Sequence, residues 1–313
     1  MDNEILNLYR VGKVSLNHTF DQLFNSDSKE LSKARSNKKI EDNDSIDLIL
    51  SELHNLVGLR NVKELIDEIM AFVEIQGKRK KENLLTEPVV LHMVFKGNPG
   101  TGKTTVARII GRLFKEMGVL EKGHLIEIER ADIVGEYIGH TALKVRQQVK
   151  KALGGILFID EAYSLARGGE KDFGKEAIDA LVKSMEDNKD NLILILAGYD
   201  YEMEDFLRTN PGLKSRFPIH VDFKDYSVEE LIEIGLIMAK NREYKLTNTA
   251  VNKLKQILVK YNDSYNSGNA RLMRNIIEKS IRKQALRLKR QKYISKDDLL
   301  YLKAVDIEGN DKY

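Results

Sequence analysis

The chain has 313 residues, of which 42% are hydrophobic and 32% are charged, and its formal net charge is +3. This length and apolar content predict about two domains with a sizeable core. The absence of cysteine excludes disulfides and thiolate zinc sites. The first residues do not resemble a signal peptide and no apolar run reaches about 18 residues, so we expect a cytoplasmic protein with no membrane partner.

Residues 1–45 are polar and weakly periodic, and we predict a flexible extension there. Beyond them, short apolar runs alternate with segments of helical periodicity as far as about residue 225. The predicted strands are 89–95, 125–128, 156–159, 192–197 and 219–223, and the helices between them include 106–114, 141–153 and 175–187. Strands that alternate with helices predict a parallel sheet covered by helices on both faces.

After Tyr226 only helical patterns remain. They cover residues 227–242, 247–262, 269–290 and 295–304. Ser227 with Glu230, and Ser295 with Asp298, have the spacing of helix-start capping boxes. We therefore predict an α/β domain over residues 46–225 and a small all-helical domain over residues 226–313.

A glycine-rich segment between the first predicted strand and its helix fits the phosphate-loop pattern G-x-x-x-x-G-K-[ST]; it spans Gly97 to Thr104. Its backbone N–H groups can wrap a phosphate at the start of the helix. In this pattern Lys103 reaches the β- and γ-phosphates and Thr104 holds Mg²⁺ through its hydroxyl. The residues predicted to bind ATP here are Asn98, Pro99, Gly100, Thr101, Gly102, Lys103, Thr104 and Thr105.

Two acidic residues, Asp160 and Glu161, directly follow the apolar run 156–159. An acidic pair at the end of a neighbouring strand completes the site of phosphate-loop ATPases. We predict that Asp160 binds Mg²⁺ and that Glu161 orients and deprotonates the attacking water. The alternative is that the pair caps the next helix. The position of the pair, one strand and one helix after Lys103, favours catalysis.

Two arginines are candidates for binding phosphate. Arg216 could neutralise the γ-phosphate through a bidentate guanidinium, and if a neighbouring subunit supplied it, hydrolysis would depend on assembly. Arg271, at the start of a helix in the second domain, could reach back to the nucleotide. The alternative for each is a surface arginine that faces water.

Tyr137, Ile138 and Gly139 place an aromatic residue, an aliphatic residue and a glycine in one predicted loop. Such a loop could grip an extended polypeptide without sequence preference, because the aromatic side chain supplies contact area and the glycine supplies backbone freedom. A tyrosine packed into a turn is the alternative.

Together these motifs resemble the AAA+ ATPases of the rubisco-activase (CbbX) and stage V sporulation protein K group. The resemblance covers about residues 50–305. It is carried by GNPGTGKTT at 97–105, EYIGHTALK at 136–144, GGILFIDEAYSL at 154–165, AGYDYEMEDFLRTNPGLKSRF at 197–217 and GNARLMRN at 268–275. By this resemblance, residues 46–225 form the AAA+ nucleotide-binding domain and residues 226–313 its lid.

The resemblance also implies roles for single residues. Lys103 and Thr104 belong to Walker A, Asp160 and Glu161 to Walker B, Tyr137 to the pore loop, Arg216 to the arginine finger and Arg271 to sensor 2. Val57 and Gly58 match the turn beside the adenine. Tyr199 stands at the sensor-1 position, which departs from the asparagine that is usual there. The family implies a ring of subunits, usually a hexamer, with nucleotide between neighbours.

We therefore expect an ATP-hydrolysing remodelling motor that uses ATP and Mg²⁺, forms a homohexamer and engages a protein client, as a sporulation-type or rubisco-activase-like chaperone. One alternative is an AAA+ nucleic-acid motor or loader, which predicts a basic channel or an added DNA-binding module. Another is a nucleotide-switched scaffold with negligible turnover. The charge near Tyr137 is scattered, and Glu161 and Arg216 are both present. These features favour the protein motor, and we do not expect nucleic acid as a partner.

Overall fold

A computed structural model describes residues 45–86, 90–137, 139–167, 173–262 and 268–309. The chain divides into two compact units, Met1–Ser51 and Glu52–Tyr313. In the first unit, the described residues are helical up to residue 51. The predicted extension over residues 1–45 lies outside the described residues except for its last residue, and its flexibility stays a prediction.

The second unit is built on a sheet of five strands. They are β1 (Met93–Gly97), β2 (Leu125–Ile128), β3 (Gly155–Ile159), β4 (Leu192–Gly198) and β5 (Ile219–Phe223). Their order across the sheet is β2-β3-β4-β1-β5, and each neighbouring pair is parallel. β3 and β4 are buried along their whole length, as continuous apolar runs predict for strands covered on both faces.

Seven helices accompany this sheet in the described residues. They are α1 (Arg60–Lys81), α2 (Lys103–Glu116), α3 (Arg130–Ile133), α4 (His140–Ala152), α5 (Gly174–Asp187), α6 (Asp200–Thr209) and α7 (Pro211–Lys214), and a 3₁₀ helix spans Ala162–Ala166. In the part of the chain that the structure describes, no helix is long and apolar enough to cross a membrane.

Helices lie on both faces of the sheet. On one face, Ile156 of β3 packs against α2, with its Cδ1 atom 3.3 Å from the position that a Cβ would take on Gly111. Side chains alternate along a strand, so Leu157 points to the opposite face. There it shares a buried core with Val145 of α4 and Leu181 of α5. The predicted α/β architecture is confirmed.

The lid follows β5. It contains α8 (Val228–Lys240), α9 (Asn248–Asn262), α10 (Asn269–Lys289) and α11 (Lys296–Leu300), together with the short strands β6 (Lys245–Leu246) and β7 (Tyr301–Leu302). Ser227 and Ser295 begin α8 and α11 with capping boxes, as predicted. The predicted helix 295–304 is wrong beyond Leu300, because β7 pairs in parallel with β6 there. The lid is therefore helical apart from this two-residue strand pair.

Candidate functional site

The carboxyl ends of the five parallel strands meet at one edge of the sheet, where a cleft of about 1010 Å³ opens. Its walls come from the phosphate loop after β1, the segment from Glu127 to Glu136, the acidic pair after β3, Tyr199 after β4, and the first turns of lid helix α10. Ligands of open α/β sheets bind at this edge, so the cleft is the candidate nucleotide site.

The phosphate loop has the backbone geometry that its glycines allow. Gly100 (φ 76°) and Gly102 (φ 102°) are in the left-handed region that L side chains rarely adopt. Helix α2 begins at Lys103, so its unpaired N–H groups face the cleft. The Nζ atom of Lys103 donates hydrogen bonds to the carbonyls of Gly97 (2.7 Å) and Asn98 (2.9 Å). Burial lowers the pKa of this ammonium below its ordinary value.

The remaining loop residues divide into two groups. Pro99 and Thr105 line the cleft. The side chains of Asn98 and Thr101 are used to hold the loop itself: the Asn98 amide donates to both carboxylate oxygens of Asp225, at 3.1 and 2.9 Å, and the buried Thr101 hydroxyl donates to the Asn98 carbonyl at 2.8 Å. These two side chains therefore shape the loop. Neither Asn98 nor Thr101 lines the cleft, and their predicted contact with ATP stays a prediction.

Asp160 and Glu161 both line the cleft. The Asp160 carboxylate accepts a hydrogen bond from the Glu161 N–H at 3.0 Å. Glu161 has left-handed backbone angles (φ 47°, ψ 43°), which are costly for a residue with a side chain and favour a functional role. Glu161 is the N-cap residue of the following 3₁₀ helix but makes no side-chain cap hydrogen bond. The geometry therefore does not support the alternative that the acidic pair serves as a cap.

The donor set of the cleft fits Mg²⁺. Thr104 and Asp160 both present oxygen atoms to it, and Mg²⁺ binds hard oxygen ligands. Among the described residues, no group of three or more His, Cys, Asp or Glu side chains could hold a metal alone. In nucleotide sites Mg²⁺ usually takes one or two protein ligands and completes its shell with phosphate and water.

The lid docks directly on the phosphate loop. The Ala270 N–H donates to the Gly100 carbonyl at 3.1 Å, and the Tyr226 hydroxyl donates to the Thr101 carbonyl at 3.0 Å. A Cβ on Gly100 would lie 2.9 Å from the backbone nitrogen of Arg271, so a larger residue would separate the two domains. Arg271 lines the cleft from this docked position.

The turn at Val57–Gly58 packs between the lid and the phosphate loop. A Cβ on Gly58 would overlap Oε1 of Glu230 and would lie 3.3 Å from Cε1 of Tyr226. The next residue, Leu59, has its Cδ1 atom 3.5 Å from the Cβ position of Gly102. The turn is thus beside the phosphate loop. Val57 and Gly58 are not among the residues that line the cleft, so their contact with adenine stays a prediction.

Tyr199 follows the last residue of β4 and lines the cleft. Its ring lies 6.0 Å from the ring of Tyr163, on the 3₁₀ helix after the acidic pair. Burial is the main cause that raises the pKa of Tyr163 to about 12. Tyr199 therefore lies in the cleft at the end of β4, with a phenol in place of the usual amide, and its sensor-1 role stays a prediction.

Arg216 lies apart from the cleft. It precedes β5, whose first residue, Ile219, pairs with Met93 at the start of β1, so Arg216 is near the amino edge of the sheet. Its Nε donates to Oε1 of Glu186 at 3.0 Å, its Nη2 forms an ion pair with the same oxygen, and its Nη1 donates to the Gly212 carbonyl at 2.8 Å. The structure does not bring Arg216 to the phosphate loop of its own chain.

Tyr137 lies in the loop between α3 and α4, with 65% of its surface exposed. Its ring contacts the ring of His140, with 5.4 Å between centroids. Gly139 has φ 81° and is the N-cap of α4, which explains a glycine there. The exposure contradicts the alternative of a core tyrosine. Ile138 lies outside the described residues.

Six further charged residues, none of them predicted as a site residue, line the cleft: Arg108, Glu127, Glu129, Arg130, Glu136 and Arg274. The Arg130 guanidinium donates to the Ser164 carbonyl at 2.6 Å. Helical spacing would have indicated Arg274, one turn after Arg271, and Arg108, one turn after Thr104. The sequence carries no comparable signal for Glu127, because its position depends on the pairing of β2 with β3.

Comparisons with known proteins agree with this geometry. Residues 93–225 match the ATPase family associated with various cellular activities (AAA), and residues 227–313 match the AAA lid domain. Stage V sporulation protein K of Bacillus subtilis is 58% identical over 262 residues, which is 83% of this chain and 81% of that protein. The chloroplastic ribulose bisphosphate carboxylase/oxygenase activase of Cyanidioschyzon merolae is 43% identical over 263 residues, which is 83% of this chain and 90% of that protein.

Among solved structures, the FIGL-1 AAA domain in complex with ADP matches with a TM-score of 0.55 and 19% identity, and the match covers 80% of each chain. At this identity the likeness concerns the fold alone. The sequence matches extend over the phosphate loop, the acidic pair and the lid, and the two family matches together span residues 93–225 and 227–313. The chain belongs to the AAA family of ATPases, in the group that includes stage V sporulation protein K and the rubisco activases.

Proposed function

We propose that this ATPase is a ring-forming motor that uses ATP and Mg²⁺ to pull on a protein client with its Tyr137 loop, and that it acts as a chaperone of the stage V sporulation protein K type. The higher identity to that protein than to the rubisco activase supports this choice. The observation that most directly supports this proposal is that one short segment connects the nucleotide cleft with the Tyr137 loop. Gly135 and Glu136 line the cleft, and the exposed Tyr137 follows them.

Different cleft residues have different roles in ATP hydrolysis. The Lys103 ammonium and the N–H groups of the loop bind the phosphates, and Thr104 and Asp160 would hold Mg²⁺, which supplies charge neutralisation. Glu161 accepts a proton from the attacking water, whose oxygen bonds to the γ-phosphorus while the bond to the ADP oxygen breaks. ATP and water thereby become ADP and phosphate.

The position of Arg216 supports assembly. A guanidinium near the amino edge of the sheet cannot contact a γ-phosphate at the carboxyl edge of the same sheet. It can contact the nucleotide of a neighbouring subunit if subunits pack head to tail, an arrangement that closes into a ring. In this arrangement each site is complete only when a neighbour is present, and we propose a homohexamer.

The loop between α3 and α4 connects hydrolysis with the client. At one side of the cleft, Arg130 begins α3 and donates to the Ser164 carbonyl, which belongs to the 3₁₀ helix after Glu161. A shift of that helix on hydrolysis would therefore move α3 and the loop that follows. The exposed ring of Tyr137 offers apolar contact area to an extended chain without sequence preference.

A trapping experiment tests this function. Glu161→Gln should bind ATP without hydrolysing it and so retain a client. We would isolate this variant with ATP from a lysate of its own cells and compare it with Glu161→Gln/Tyr137→Ala, with Glu161→Gln/Tyr137→Phe as the matched control. A protein retained with tyrosine and phenylalanine but lost with alanine supports the motor.

Two results would contradict the proposal. Nucleic acid retained by all three variants would favour a nucleic-acid motor. A chain that binds ATP but shows negligible turnover at every concentration, with no client that depends on Tyr137, would favour a nucleotide-switched scaffold.

A further inference from the structure

We propose that Glu127 is a positioning residue for the magnesium ion that accompanies ATP. In this role it orients the Thr104 hydroxyl and sets how strongly Mg²⁺ and ATP reinforce each other's binding. This inference rests on the proposed nucleotide chemistry and extends it to a residue outside the phosphate loop and the acidic pair.

The pairing of the strands determines where Glu127 points. Glu127 of β2 stands opposite Phe158 of β3 in the parallel register. Ile156, two residues before Phe158, packs against α2. Side chains two residues apart share a face, and paired residues on neighbouring strands share it as well. Glu127 therefore faces α2, at a position where a strand that packs on a helix normally carries an apolar residue.

The carboxylate at this position contacts the first turn of the phosphate-loop helix. The Thr104 hydroxyl donates a hydrogen bond to Oε1 of Glu127 at 3.4 Å. A hydroxyl has one hydrogen and two lone pairs. When a lone pair of Thr104 binds a metal ion, the hydrogen still needs an acceptor, and Glu127 is in place to accept it.

A hydrogen-bond acceptor that contacts a metal ligand holds that ligand in one orientation. It also makes the oxygen of the ligand a stronger electron-pair donor to the metal. Such partners typically change metal affinity by about 10- to 100-fold when they are mutated. Mg²⁺ is sensitive to this because it requires nearly ideal octahedral geometry. Glu127 thus has the chemistry to strengthen the Thr104–Mg²⁺ bond without contacting the metal.

The charge of Glu127 also acts on the nucleotide. Glu127 lines the same cleft as Asp160 and Glu161, and Glu129 and Glu136 line it as well, so a triphosphate without Mg²⁺ meets five carboxylates. The metal ion removes this repulsion. Glu127 should therefore weaken ATP binding without metal and strengthen it with metal, and both effects increase the coupling between the two ligands.

The experiment measures this coupling directly. The dissociation constant of a fluorescent non-hydrolysable ATP analogue is determined with EDTA and with saturating Mg²⁺, and the ratio of the two is the coupling factor. Glu127→Gln keeps the shape and an acceptor oxygen but removes the charge, and Glu127→Leu removes both. We expect the factor to fall roughly 10-fold in Glu127→Gln and further in Glu127→Leu.

Two controls separate positioning from a general charge effect. Glu121→Gln changes the net charge equally but lies before β2, away from the cleft lining, and should leave the coupling factor unchanged. Thr104→Val removes the hydroxyl. If Glu127 acts through that hydroxyl, the double variant Thr104→Val/Glu127→Gln should lose little more coupling than Thr104→Val alone.

The outcomes are distinct. A coupling factor that stays within about 2-fold of the unmodified chain in both Glu127 variants overturns this inference and leaves the ATPase mechanism intact. Fully additive losses in the double variant overturn the route through Thr104. If the unmodified chain fails to bind the analogue even with Mg²⁺, the nucleotide site itself is refuted, and this inference with it.

Discussion

Replacing Asn269 with alanine should loosen the lid from the phosphate loop. Asn269 is fully buried at the start of α10. Its Oδ1 accepts a hydrogen bond from the Tyr226 N–H at 3.0 Å, and its Nδ2 donates to Asp225 at 2.7 Å and to the Pro99 carbonyl at 3.4 Å. Its backbone has φ 46°, in the left-handed region that asparagine tolerates better than alanine.

The expected loss in the free energy of unfolding follows from these contacts. The alanine variant leaves the buried Tyr226 N–H without its acceptor and removes a donor from Asp225, which together cost about 3 kcal/mol. The left-handed backbone adds roughly 1 kcal/mol for a residue with a Cβ. Asn269→Ala should therefore lower the free energy of unfolding by about 4 kcal/mol. Asn269→Gly should lower it by only about 3 kcal/mol, since glycine removes the backbone cost but not the lost hydrogen bonds.

Urea denaturation of Asn269→Ala and Asn269→Gly gives the two free energies, and titration with the fluorescent ATP analogue gives the affinity. We expect nucleotide affinity to fall in both variants, because Arg271 and the Ala270 N–H reach the cleft and its loop only from the docked lid. The reasoning is refuted if either variant loses less than about 1 kcal/mol, or if both keep the affinity of the unmodified chain.

Three further predictions concern the site and the core. Glu161→Gln should bind the ATP analogue normally but hydrolyse ATP at least about 100-fold more slowly in a single-turnover assay, and retained turnover would exclude Glu161 as the base. Arg216→Ala should lower the ATPase rate by about 1000-fold, and mixing it with Lys103→Ala subunits should restore part of the activity, since each supplies what the other lacks. No recovery would contradict action in a neighbouring subunit. Burial lowers the pKa of His92 from 6.5 to about 4, so the folded chain binds fewer protons than the unfolded chain between these values. The stability from this group is complete above about pH 6.5 and falls by about 3 kcal/mol towards pH 4. His92→Gln, which can still accept the Leu194 N–H that Nδ1 accepts at 3.1 Å, should flatten this decline in urea midpoints, and an unchanged decline would show that another group causes it.

Local patterns predicted most of the elements. The apolar runs of β3 and β4 are strands because they are buried on both faces, and the capping boxes at Ser227 and Ser295 start helices because their side chains satisfy free N–H groups. The helix predicted over residues 295–304 fails for a nonlocal reason. Tyr301 pairs with Lys245, which is distant along the chain, and no local pattern reports such a pairing.

The residues of the site likewise divide into those that a local pattern predicts and those that depend on tertiary contacts. Motifs identify Lys103 and Asp160 because their function requires fixed spacing next to a glycine loop or a strand end. Glu127 depends on strand register, and the ion pair between Arg216 and Glu186 joins segments that only the folded chain brings together. Side chains whose role depends on tertiary contacts could not be predicted from sequence, although their residue types were visible.

The docking of α10 on the phosphate loop gives this helix the properties of a lever. Its 21 residues extend for about 30 Å at roughly 1.5 Å per residue, and its first residues touch the loop through Ala270 and Gly100. A tilt of about 10° at that end would move the far end by about 5 Å on this length. The last turn carries Arg287, which holds the buried Asp306 through two hydrogen bonds of 2.8 and 2.9 Å. A small rotation of α10 at the phosphate loop would therefore produce a displacement of several ångströms at the end of the lid farthest from the nucleotide.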